Sequence, residues 1–282
     1  MGLVNIKEST FEAHDREHRH SFESRYEVFI RYRDLISGLA LRDVKMRYQL
    51  SILGLYWAVL NPLLMAIIWS FVFSTILGAK GMEGVPYVVF LFCGMTFWNL
   101  FANSLNTATT SLTGNASLLS KLYFPRVILP TASVLARVVD FCFSMIVLII
   151  FMLAYHVHPS SRVVLIPLFL VIELIFTLGM AYIVASLNVL YRDVGQMIQL
   201  ILLLWMYLSP VFYPIQHIPA NIRRYFILNA VGELVGLQSS VILGGQFPGW
   251  HVAFYAAIIS VGVFTAGITV FHRLEPLFAE VM

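Results

Sequence analysis

Charge is what this chain most lacks. Of its 282 residues only 12% are Asp, Glu, Lys or Arg, about half the share an ordinary soluble domain carries. Hydrophobic residues make up 59% and aromatics 14%, a balance that suits a bilayer as solvent rather than water. The apolar runs are long and continuous. A transmembrane β-barrel would alternate over segments of about ten residues, so that class is excluded. Cysteine is scarce too: Cys93 and Cys142 both fall in apolar runs, where a thiol packs as a small apolar group, and they suggest no disulfide framework. No G-x-x-x-x-G-K-[ST] phosphate cradle, zinc-ligand pattern or nucleophile elbow is present. The chain is therefore expected to bind no cofactor or metal and no nucleic acid, and to take any energy for work from a separate protein. Its first 34 residues are rich in Glu, Arg and His with no apolar centre, which reads as a polar tail rather than a signal peptide. No repeat of 20–50 residues is evident.

What the chain does have is apolar stretches at about 55–78, 87–110, 131–155, 163–187, 197–213 and 250–271. The expected fold is an all-α integral membrane protein with six transmembrane helices. A polar tail (1–29) precedes them and a short tail (272–282) follows. In the first tail, His14 and His18 stand at metal-ligand spacing for a helix, although a solvated charged segment is the plainer reading. Between tail and first span, residues 30–50 read as an amphipathic helix. There Tyr32, Ile36, Leu39, Val44 and Met46 recur near helical spacing among Arg31, Arg33, Asp34, Arg42, Lys45 and Arg47. That pattern fits a helix lying in the membrane interface.

Six spans put both termini on one side, and the positive charges choose which. Thirteen of the 18 Lys and Arg fall on the side of the N-terminus and four on the other, with Arg137 inside the third span. Positive flanks stay in the cytoplasm, so both termini are expected there. The same count places "SLLSKLYFPRVILP" (117–130) in the cytoplasm. That stretch reads as a two-turn helix capped by Asn115 or Ser117. Leu118, Leu119 and Leu122 share a face with Tyr123 beside it, and Pro125 ends the helix. It is either an ordinary turn resting on the membrane or a knob that docks into a cytoplasmic partner.

Two further features are polar groups where hydrocarbon is expected. Thr96, Asn99, Asn103, Asn106 or Thr107, and Thr110 form a stripe on the second span, edged by Trp98 and Phe101. It serves either interhelical hydrogen bonding or a hydrophilic conduit. Arg137 and Asp140, three residues apart, can neutralise each other, and Glu173 lies deep in the fourth span with no obvious local partner.

Three longer stretches carry a resemblance: "RDVKMRYQLSILGLYWAVLNPLLMAIIWSFVFS", "SLLSKLYFPRVILPTASVLARVVDF" and "SLNVLYRDVGQMIQLILLLWMYLSPVFYPIQHIP". They are similar to the permease subunit of bacterial polysaccharide ABC transporters, the type-2 exporters of O-antigen and wall teichoic acid. The likeness covers about 42–226; beyond it, Leu228-Asn229-Ala230 departs from the family's usual Leu-Asn-Pro. The resemblance implies a homodimer in the bacterial inner membrane, joined by two separate P-loop ATPase subunits that hold ATP and Mg. The segment 115–124 would be the coupling helix, with Leu118, Leu119, Lys121, Leu122, Tyr123, Phe124, Pro125 and Arg126 meeting the ATPase. Arg42, Lys45, Arg47 and Tyr48 would meet the diphosphate of a lipid-linked glycan, unless they only attract anionic headgroups. Residues 214–249 would form re-entrant helices of a periplasmic gate, marked by Pro210, Pro214, Pro219 and Tyr225. Trp57, Trp69, Phe73, Trp98, Asn99, Phe101, Asn103, Trp205 and Tyr207 would line the channel, since aromatic faces and amides give a sliding polymer weak, repeated contacts. Another cargo, such as a lipid or drug, fits the same frame. A membrane enzyme acting on prenyl-linked sugars is the reading from outside it.

Overall fold

The computed structural model describes residues 30–49, 56–76, 78–79, 81–121, 124–215, 218, 226 and 229–278. The polar tail 1–29 and four expected site residues, Leu122, Tyr123, Pro219 and Tyr225, lie outside them. Among the described residues the chain is helical, with no strand. The helices are α1 (Arg33–Tyr48), α2 (Trp57–Ser70), α3 (Tyr87–Thr109), α4 (Ala116–Lys121), α5 (Ile128–Ala154), α6 (Ile166–Leu190), α7 (Val194–Tyr207), α8 (Ala230–Leu243) and α9 (Trp250–Leu274). A π-helical segment, Phe71–Ile76, extends α2.

Five helical segments are long and apolar enough to cross a membrane, namely those built on α2, α3, α5, α6 and α9. The fifth expected span is different. Its helix, α7, has 14 residues, about 21 Å at 1.5 Å per residue, short of the roughly 30 Å hydrocarbon core. Helix ends at Tyr207 because Pro210 follows closely, and a residue before proline is pushed out of the helical region. The chain then turns, and Tyr87 at the head of α3 donates to the Phe212 carbonyl at 2.7 Å.

Sequence patterning makes α3 look like any other span, yet it is the central helix: 83% of its apolar window is buried, against 6% for α2. The short α8 is buried at every residue, packed between α3, α6 and α9. It is capped at its start by the Asn229 side chain, which accepts from Gly232 N, and at its end by Gly244 in the left-handed region (φ 79°). The expected gate segment thus contains a helix enclosed by the bundle. Pro210 and Pro214 are buried with it.

Glu173 on α6 has a partner after all. Gln238 of α8 donates to its Oε2 at 2.8 Å, and Glu173 is wholly buried. In hydrocarbon an unpaired carboxyl is costly, so this bond fixes α8 against α6.

A second apolar cluster gathers at the α1 and α4 end. Ile36, Leu39 and Ala40 of α1 pack there with Leu112, Phe124, Ile128, Tyr182, Phe271 and Phe278. Helix α1 therefore rests one face on the protein itself, while Leu41 and Met46 stay exposed at 57% and 65%.

Candidate functional site

A cleft of about 280 Å³ opens between α1, α2, α3 and α5. The last turn of α1 supplies Arg47 and Tyr48, and the first turns of α2 supply Trp57 and Asn61. From α3 come Thr96, Asn99 and Asn103, spaced so that they share a face. From α5 come Arg137, Asp140 and Ser144.

Asp140 is the hub. Its Oδ2 accepts from Arg47 Nη1 at 2.5 Å and from Arg137 Nη1 at 3.1 Å. Its Oδ1 accepts from the Tyr48 hydroxyl at 2.8 Å. Arg137 also donates through Nε to Thr107 Oγ1 of α3 at 2.8 Å. Burial and then the Asp140 carboxylate raise the Tyr48 phenol above its ordinary value, so it stays protonated and donates. Two guanidiniums against one carboxylate leave the cleft one positive charge in excess. With the amides of Asn61, Asn99 and Asn103 around it, this chemistry suits an anion that carries hydroxyls.

The four expected diphosphate residues therefore divide. Arg47 and Tyr48 reach the cleft, Lys45 is exposed, and Arg42 is turned elsewhere. Its guanidinium pairs with Asp43 at 2.9 Å and donates to Asn115 Oδ1 at 2.8 Å. Asn115 in turn donates to Ser111 O at 2.8 Å, so α1 grips the turn that leads into α4.

The α4 segment also divides. Leu118 and Leu119 are partly buried against the second apolar cluster. Phe124 is 9% exposed, and it has left the helix because Pro125 follows. It anchors the loop rather than offering a contact surface. Arg126 also turns inward, donating to Glu275 O at 2.8 Å. Lys121 closes α4.

The expected channel aromatics form two separate clusters. Trp98 and Phe101 are 2% and 0% exposed. They stack edge-on with Trp205 at 6.4 and 5.3 Å between centroids, and Phe176 joins them. Trp98 and Phe101 are internal packing, with Trp205 partly buried against them, because the polar stripe on α3 faces the cleft and its aromatic edge faces α7. Trp69, Phe73 and Tyr207 form the other cluster around Phe212, with Phe73 and Tyr207 stacked on it at 5.0 and 5.2 Å. This cluster joins α2 to the end of α7. Tyr207 is 40% and Trp57 39% exposed; Asn103 is exposed and Asn99 half-buried.

Residues 35–231 match the family described as ABC-2 type transporter. The chain belongs to that family. Among proteins similar to this ABC-2 permease is the O-antigen export system permease protein RfbA of Myxococcus xanthus, 31% identical over 252 residues, covering 88% of this chain and 95% of the relative. A Klebsiella pneumoniae protein of the same name is 30% identical over 253 residues, with the same coverage. The polysialic acid transport protein KpsM of Escherichia coli is 20% identical over 246 residues, 85% of this chain and 93% of the relative.

One structural position escaped sequence reasoning. Asn229 accepts from Trp205 Nε1 at 2.8 Å and Gly232 N at 3.0 Å, and donates to Ser209 Oγ at 3.0 Å. It locks the end of α7 to the start of α8. An Asn before the apolar run "AVGELVGL" is a cap signal, but nothing in sequence points to Trp205. Asn229→Ala is expected to lower stability by about 2–3 kcal/mol, through the lost cap and the stranded indole donor. Thermal unfolding in detergent measures this, and Asn229→Ser, which keeps only the cap, should fall between.

Proposed function

We propose that this ABC-2 permease is the membrane half of an ATP-driven exporter that moves lipid-linked polysaccharide, of the O-antigen kind, across the bacterial inner membrane. The observation that carries the reading is the cleft: one excess positive charge beside three amides and Trp57, at the end of the interface helix. A lipid diphosphate needs guanidinium donors, and the first sugars need amides and a ring face. Arg47 and Arg137 supply the donors, held in place by Asp140. The names of the similar proteins, which concern O-antigen export and polysialic acid transport, support a glycan as cargo.

Two permeases form the pore as a homodimer, and two P-loop ATPase subunits, carrying ATP and Mg, dock at α4 from the cytoplasm. Both termini are cytoplasmic, and α7 with the turn and α8 beyond it completes a sixth crossing. Trp98 and Phe101 are committed to the protomer core, and the residues left to line a channel are Trp57, Trp69, Phe73, Asn99, Asn103, Trp205 and Tyr207, each at least partly exposed.

Deleting the gene tests this reading. The expected result is loss of surface glycan, with lipid-linked glycan accumulating inside the cell and both restored by the wild-type gene. Purified with its P-loop ATPase, the permease should support ATP hydrolysis that it cannot perform alone. Unchanged surface glycan, or export of a lipid or drug instead, overturns the cargo; ATP hydrolysis by the permease alone overturns the mechanism.

A further inference from the structure

The loop that follows α4 makes a contact that its proposed docking role does not require. Arg126 lies two residues before α5 begins, yet its guanidinium sits at the far end of α9. Nη1 donates to the carbonyl of Glu275, the C-cap residue of α9, at 2.8 Å, and the charge stands 5.9 Å from the Phe278 ring centroid. The Glu275 carbonyl has one lone pair taken by the Phe278 N–H, in the 3₁₀ turn that continues α9, and a second open to Arg126, and the helix dipole is negative at this end. A guanidinium is well matched to both. Phe278 is itself 0% exposed, wedged against Phe271 at 5.6 Å, so the tail is fastened rather than draped.

The upper part of α9 is fastened equally firmly. Gly179 of α6 and Gly267 of α9 bring the two backbones into direct contact, so close that a Cβ on either would meet backbone atoms of the other helix. A force applied to the end of α9 therefore moves α6 and α9 together, because packed helices at such a crossing cannot slide independently.

We infer that Arg126 is a coupling residue that divides the motion of the α4 segment between α5, to which it is joined by the chain, and the α6–α9 pair, to which it is joined by this cap. The inference rests on the reading that α4 docks the ATPase. Arg126 is a positioning residue, acting through the loop and touching no cargo. The nominal C-terminal tail thus becomes part of the drive train.

The test uses the full permease–ATPase complex in nanodiscs. A fluorophore on Arg273→Cys reports the end of α9, in a Cys142→Ala background; Cys142 is exposed and Cys93 buried. In the parent protein, ATP with vanadate is expected to shift the signal. Arg126→Ala should reduce that shift at least fivefold, and Arg126→Lys, which keeps a donor and a charge, should restore more than half. In cells, Arg126→Ala should lower surface glycan per assembled complex about tenfold, whereas a purely structural role would lower the amount of complex and leave that ratio alone. A parent protein with no nucleotide-dependent shift, or an Arg126→Ala shift within twofold of the parent, overturns the inference. Failure of the cargo reading looks different, since the fluorophore shift persists whatever is exported.

Discussion

Asp140→Ala is expected to destabilise the permease by about 3 kcal/mol, with a loss of export at least as large as the loss of folded protein. Asp140 is the only carboxylate among the cleft residues, and it holds Arg47, Arg137 and Tyr48 at once. Removing one partner of a buried pair costs about 3–5 kcal/mol, because the charge left behind has no compensation. Here two guanidiniums are left. The side chains keep 16–21% of their exposure, so water recovers part of the loss, which places the estimate at the lower end. The reverse changes cost less. Arg47→Ala leaves Asp140 paired with Arg137, and Arg137→Ala leaves it paired with Arg47; each is expected to cost about half as much. A double-mutant cycle separates hub from spokes: Asp140→Ala with Arg137→Leu should be more stable than Asp140→Ala alone. Thermal unfolding in detergent gives all of these values. If Asp140→Ala unfolds within a degree of the wild type, the triad is not what ties α1 to α5.

The same triad shows where sequence reasoning reached and where it stopped. Arg137 and Asp140 stand three residues apart, so their pairing was legible. Arg47 lies 93 residues from Asp140, and no spacing rule links them. Five long apolar helices were legible because span length is a local property. Which face of a span meets lipid is not local. Lipid tails are as apolar as leucine, so burial between helices leaves no hydropathic signature. That is why Trp98 and Phe101 read as channel rings although they are core, and why buried α3 could not be told from exposed α2. Pro210 and Pro214 did announce a break after the fifth span. The 14-residue length of α7 follows from that break, but the enclosure of α8 rests on contacts distant in sequence, Glu173 with Gln238 65 residues away among them.

Gly267→Ala is expected to disrupt the bundle more than any other single methyl addition on α9. A Cβ at Gly267 falls on the Gly179 carbonyl group, and one at Gly179 lies 2.6 Å from the Phe264 backbone. Overpacking usually costs about 1–3 kcal/mol because side chains can shift aside. Here the obstacle is backbone, so two helices must separate along their whole contact, and the estimate rises above about 4 kcal/mol. No hydrophobic gain offsets this in a bilayer, where helix association depends on close van der Waals contact. Gly262 provides the control on the same helix: nothing lies within 4 Å of a Cβ there. Gly262→Ala should be neutral or stabilising by up to about 1 kcal/mol, from helix propensity alone. The two variants differ by position and by nothing else in composition. Monitoring unfolding in mixed micelles as SDS is titrated should give a midpoint for Gly267→Ala well below the parent and one for Gly262→Ala at or above it. Equal midpoints would mean that α6 and α9 are held by the rest of their contact rather than by the glycine crossing, and would remove the rigid pair through which Arg126 is argued to act.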